Sequence, residues 1–152
     1  EARAFVAACR YPPRGTRGAH FTVSRAARWG LASEEHYRDA ESSLLLIPMI
    51  ESVQGVRAIP ALARVDGLSM LFLGPLDLTG SAGKMGRWND PEMIALLREA
   101  ERAVVSSGFA LGGALVPGDT AEGCFARGYR FATVGSDVGM LRQGAARCLQ
   151  GT

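Results

Sequence analysis

LFLGPLDLTGSAGKMG, residues 71–86, decides how the chain is read. It ends an apolar run on Gly74-Pro75 and sets Asp77 just before a glycine-rich stretch. Stripping an unpaired carboxylate of water costs several kcal/mol, so an acid in such a run has a cation, a hydrogen-bond network or a chemical task. The residues before it, SMLFLG (69–74), have strand length and almost no polar atoms, the pattern of a strand covered on both faces.

Working outward, the same alternation recurs. Upstream, LLLIPMI (44–50) reads as a strand, followed by a helix over 52–64 with Ser52 as N-cap. Pro60 is expected to kink or shorten that helix. Downstream, Asp90 caps a helix with Pro91 at its first position, Met93, Leu97, Ala100 and Val104 on one face, and Gly108 as its stop. FALGGALV (109–116) is a third strand. DTAE (119–122) has the spacing of a capping box, with Asp119 as the expected cap and Gly128 closing the helix. FATVGSD (131–137) is a fourth strand, and a last helix starts near Asp137.

Four apolar strands alternating with helices predict βα units and a parallel sheet. An open doubly wound sheet and part of a (β/α)8 TIM barrel both fit. A barrel needs about 250 residues, so a chain of 152 would hold only its second half. Residues 1–43 differ from the rest. EARAFVAACR reads as the end of an amphipathic helix, RYPPRGTRG (10–18) as loop, and SEEHYRDAES (33–42) as a short capped helix. The expectation is one partial domain over 1–152, with four βα units in 44–152. Because the sequence opens without an initiating Met, a fragment lacking the front of its barrel is expected.

Composition narrows the function. Seventeen basic against 15 acidic residues give too small an excess for a nucleic-acid surface. No apolar run reaches membrane length, which needs about 20 residues. Cys9, Cys124 and Cys148 are odd in number and widely spaced, so they read as structural thiols of a reducing, cytoplasmic protein. Lys84 is the sole lysine and sits in the predicted loop 80–86, which speaks against Schiff-base chemistry. That loop lacks P-loop spacing because Met85 follows the lysine, and its glycines read as a connector. His20 and His36 read as surface or satisfied histidines, Ser136 as a helix cap, and Trp29 and Trp88 as packing or loop-anchoring residues. Arg10, Arg14 and Arg17 suit either an anionic substrate or structural ion pairs.

Both α/β architectures collect functional groups at the carboxyl ends of strands, where Glu51, Asp77 and Asp137 fall. Glu51 and Asp77 end successive strands. Two carboxylates so placed repel unless a cation joins them, and oxygen ligands without His or Cys neighbours suit Mg²⁺ or Mn²⁺. The same spacing also fits acids that cap the next helix or pair with an arginine. On spacing alone, both readings stand.

The order RYPPRGTRG, LLLIPMIES, MLFLGPLDLTGSAGKMG and FATVGSD with MLRQGA resembles the HpcH/HpaI aldolase family, class II pyruvate aldolases related to the citrate lyase β subunit. The resemblance covers nearly the whole chain and places it over barrel strands five to eight. It implies a divalent metal (Mg²⁺, Mn²⁺ or Co²⁺) held by Glu51 and Asp77, with the backbone amide near Leu76 touching a substrate carboxylate. The implied reaction is cleavage or formation of a 4-hydroxy-2-keto acid from pyruvate and an aldehyde through a metal-stabilised enolate. The family's base histidine and its enolate-stabilising arginine belong to early strands, so no catalytic residue of that kind is expected in this chain. Met49 replaces a common glutamine and Leu76 a usual alanine, which makes the pocket more apolar. A homo-oligomer is implied for the whole protein. The alternatives are a truncated, non-catalytic fragment of such an enzyme and a flavodoxin-like binding domain.

Overall fold

The computed structural model describes residues 1–150. Its centre is a parallel sheet of β1 (Met49–Ile50), β2 (Met70–Leu73), β3 (Ala110–Ala114) and β4 (Tyr129–Thr133), in that spatial order. Strands that neighbour in sequence also neighbour in space. With right-handed crossovers, such an order lays every connecting helix on one face. A doubly wound sheet would reverse its order at a switch point, and this one does not. The fold is therefore a partial TIM-barrel-like α/β structure, and the order disfavours a flavodoxin-like sheet.

β1 is far shorter than the apolar run 44–50 predicts. Pro48 has no N–H to give the ladder, although its carbonyl still accepts from Phe72 N at 3.1 Å. Leu46 pairs with Ser69 instead, through its carbonyl at 2.8 Å and through its N–H to the Ser69 hydroxyl at 3.1 Å. β4 starts two residues earlier than expected, at Tyr129, and ends at Thr133 rather than 137.

Three connecting helices follow from their caps. α3 (Val53–Leu62) is capped by the Ser52 hydroxyl, which accepts from Gly55 N at 3.0 Å, and it ends two residues past Pro60. α5 (Pro91–Ser106) starts where the Asp90 carboxylate accepts from Glu92 N at 2.9 Å. Gly108 follows it at φ +79°, a left-handed conformation that only glycine adopts without strain. α6 (Ala121–Ala126) departs from expectation, since Thr120 caps it and Asp119 turns to Arg127. In α7 (Asp137–Gln150) the Ser136 hydroxyl accepts from Gly139 N at 3.1 Å.

The largest correction lies between β2 and α5. Pro75–Ser81 forms a helix, α4, that the sequence reading did not place, and it takes the first two residues of the loop expected over 80–86. Upstream are α1 (Ala2–Cys9) and α2 (Ser33–Asp39). The expected side-chain cap on α2 is absent, because Ser33 donates back to the Gly30 carbonyl. Of the two readings of Trp29, core packing is not realised: it is 70% exposed, at φ +54°.

The core lies between the sheet and its helices. Ile50, Leu71, Leu73, Leu111 and Tyr129 from the strands meet Val56, Ile59, Leu78, Ala100, Val104 and Cys124 from the helices. Each large aliphatic side chain buried there is worth about 1.5–3 kcal/mol. Within this layer Glu101, 5% exposed, takes hydrogen bonds from Arg98, Arg127 and the Tyr129 hydroxyl. The other sheet face is open: Met49 is 54% and Phe131 48% exposed, and Phe131 lies 6.2 Å from the Phe72 ring.

Candidate metal centre

Glu51 directly follows β1. Its place is set by the ladder: Met49 pairs with Phe72 and Ile50 with Leu73, so the next step puts Glu51 opposite Gly74. Gly74 N–H donates to the Ile50 carbonyl at 3.0 Å, closing that step. The contact is tight, since a Cβ on Gly74 would lie 3.1 Å from both Glu51 Cβ and Met49 Sδ. A glycine is what lets the tip of β2 approach Glu51 this closely.

Asp77 is reached one turn later. Gly74 ends the strand, Pro75 takes the first helical position, and Asp77 occupies the first turn of α4. This corrects the picture of a carboxylate inside a buried strand. The side chain is exposed, and its neighbours Pro75, Leu78 and Thr79 carry the burial instead. An acid in a first helical turn is favoured by the backbone dipoles there. The N–H groups of Leu76 and Asp77 precede the first intrahelical bond, Leu78 N to the Gly74 carbonyl, and have no acceptor within the helix.

The two acids thus stand at the carboxyl tips of adjacent parallel strands. Neither has a salt-bridge or hydrogen-bond partner among the described residues, so the alternative in which an arginine neutralises them is not realised. Among the described residues no group of three or more His, Cys, Asp or Glu forms a metal cluster. A divalent ion here would have two protein carboxylates and no nitrogen or sulfur donor. That set fits a hard cation such as Mg²⁺, which takes one or two carboxylates and completes its shell with water and substrate.

The other sequence candidates are engaged elsewhere. His36 lies 3.2 Å from the Tyr11 hydroxyl in an aromatic cluster with Phe21 and Tyr37. Arg14 and Arg10 pair with Glu41, and Arg17 stacks 4.7 Å over the Tyr11 ring. Lys84 bonds both Asp90 oxygens at 2.9 Å and Glu92 at 2.8 Å. Those contacts, the Glu92 hydrogen bond first, raise the lysine above its usual value and hold it charged. It is a structural cation, not an amine nucleophile. Asp137 donates no carboxylate to the pair; it accepts from Val138 N at 2.8 Å in α7.

Sequence reasoning passed over two hydroxyls. Thr79, fully buried, donates to the Leu76 carbonyl at 2.7 Å and accepts from Gly86 N at 2.9 Å. Ser81 accepts from Val53 N at 3.0 Å and donates to the Leu78 carbonyl at 2.9 Å. Pro75 followed by Asp77 was the available signal, the same first-turn pattern that marks α5.

A family model described as HpcH/HpaI aldolase/citrate lyase matches residues 1–144. The chain is similar to the hydroxypyruvate/pyruvate aldolase of Chromohalobacter salexigens, with 38% identity over 95% of this chain and 57% of that protein. Its identity to the 2-keto-3-deoxy-L-rhamnonate aldolase of Klebsiella pneumoniae is 36%, over 98% of this chain and 55% of that one. A crystal structure of a family protein from Burkholderia cenocepacia superposes with a TM-score of 0.87 at 31% identity, covering 98% of this chain and 59% of its own. The chain spans little more than half the length of the curated relatives it matches.

Proposed function

The chain belongs to the HpcH/HpaI aldolase/citrate lyase family, and from that premise we propose that it is the metal-holding portion of a (β/α)8 lyase, strands five to eight. The reaction is reversible C–C cleavage of a 4-hydroxy-2-keto acid into pyruvate and an aldehyde. The names of the two aldolase relatives support the substrate class. The observation that carries the proposal is the pair of exposed, unpartnered carboxylates, Glu51 and Asp77, on neighbouring strand tips.

Each residue has a part in this reading. Glu51 and Asp77 would hold the ion through their carboxylates. When bound, a divalent ion supplies positive charge against the negative charge that grows on a keto oxygen during cleavage. The free first-turn amide of Leu76 orients the substrate carboxylate by hydrogen bonding. The side chains of Leu76 (49% exposed) and Met49 give the mouth of the site an apolar rim that limits water. The proton is moved by a base from another part of the barrel, together with an arginine for the developing charge. The whole protein is a cytoplasmic homo-oligomer in this reading.

Calorimetric titration with Mn²⁺ tests the ligands. Glu51→Gln and Asp77→Asn should each abolish binding, and unchanged binding in either would end the proposal. Retro-aldol cleavage by the whole barrel enzyme should stop in EDTA; undiminished turnover there would reject the ion's role.

A further inference from the structure

An ion site with one ligand after β1 and the other in the first turn of α4 needs those ligands held at a fixed separation, because Mg²⁺ demands near-ideal geometry at about 2.0–2.1 Å. The ladder bond at Gly74 fixes the strand tips, but Asp77 lies a turn beyond it. The hydroxyl that spans the remaining gap belongs to Ser81. Val53, whose N–H it accepts at 3.0 Å, is the first residue of α3 and stands two positions after Glu51. Leu78, whose carbonyl takes the Ser81 proton at 2.9 Å, directly follows Asp77. A hydroxyl can accept and donate through the same atom. An alanine would leave the Val53 N–H, a first-turn donor without an intrahelical partner, to solvent. On the opposite side, Thr79 pins the same turn to the 84–86 segment through Leu76 and Gly86.

We propose that Ser81 is a positioning residue for the ion site: its hydroxyl ties the turn that carries Asp77 to the segment that carries Glu51, so that the two carboxylates are set before an ion arrives. The proposal rests on the reading of Glu51 and Asp77 as ligands. Partners outside the ligand shell of a metal typically matter 10–100-fold in affinity. Ser81→Ala should therefore weaken Mn²⁺ binding by about tenfold, with both carboxylates intact.

The test is Mn²⁺ calorimetry on the whole barrel protein, with melting temperatures alongside. Ser81→Thr, which keeps the hydroxyl, should bind like the parent. Thr120→Ala removes a hydrogen bond of similar kind at the cap of α6 and should lower the melting temperature without changing Mn²⁺ affinity. Should Ser81→Ala fail to fold, Ser81→Cys, which keeps the shape with a slightly larger atom and weakens both bonds, takes its place. Parent-like affinity in Ser81→Ala, or a loss in Thr120→Ala as large as its own, would overturn the proposal. Mn²⁺ binding that survives Glu51→Gln or Asp77→Asn would instead sink the ligand assignment beneath it.

Discussion

Arg127 ties α5, α6 and the loop between β3 and α6 through one guanidinium group. Its Nε donates to Glu101 on α5 at 3.1 Å, and its Nη1 reaches Asp119 at 3.2 Å and the Gly123 carbonyl at 2.9 Å. Glu101 sits in the driest part of this network. Without the Glu101 carboxylate Arg127 keeps Asp119, but the buried Tyr129 hydroxyl loses its acceptor, and a stranded buried donor costs about 1–3 kcal/mol. Glu101→Ala should accordingly lower unfolding free energy by about 2 kcal/mol in urea titrations. Asp119 gives the network a pH dependence. Hydrogen bonding from Arg127 holds its carboxyl below the usual value of 3.8. A depressed carboxyl adds stability above its unfolded value and loses it as pH falls through the folded one. Melting temperature should therefore fall as the medium is acidified below about pH 4. Asp119→Asn should flatten that limb, though only in part, since Asp90 is lowered likewise by its Lys84 hydrogen bond. A limb of unchanged steepness would reject the assignment.

Elements here are set by their ends as much as by their propensities. Ser52→Ala should cost about 1 kcal/mol through loss of the cap on α3, read by chemical denaturation. Strands and most helices were legible because the apolar runs and the Ser52 and Asp90 caps are local signals. α4 was not, because Gly80, Ser81 and Gly83 look like a connector by propensity. The helix exists through tertiary pins: Thr79 to Gly86 and Ser81 to Val53. Asp119 was misread for a related reason. Its spacing suits a cap, but a charged hydrogen bond to Arg127 is the stronger attraction and leaves capping to Thr120. That Glu51 and Asp77 follow neighbouring strands was legible because βα topology places strand tips together. Their surroundings were not, since the Ser81 bridge joins residues far apart in the sequence.

At the scale of the molecule, the core helices pack on one side of the sheet, and among the described residues the other side is open. Apolar side chains remain in water on that open side and along α7, where Val138 is 70% and Leu141 76% exposed. β1 and β4 are both edges of the sheet. Exposed apolar surface and unpaired edges promote association. The 152-residue chain by itself should sediment as concentration-dependent oligomers, and Val138→Lys with Leu141→Lys should reduce that association without lowering the melting temperature. A monomer at every concentration would contradict this.

The sheet's spatial order repeats the order in which the chain is made, and this bears on biosynthesis. Domains assemble from the N-terminal side while residues emerge at about 5–20 per second. Each strand described here finds its sequence predecessor already made when it emerges. β2 pairs on one flank with β1, through two residues only, and on the other with β3, through four. The ladder of β2 should therefore become durable only once residues 110–114 have cleared the exit tunnel and supplied that second flank.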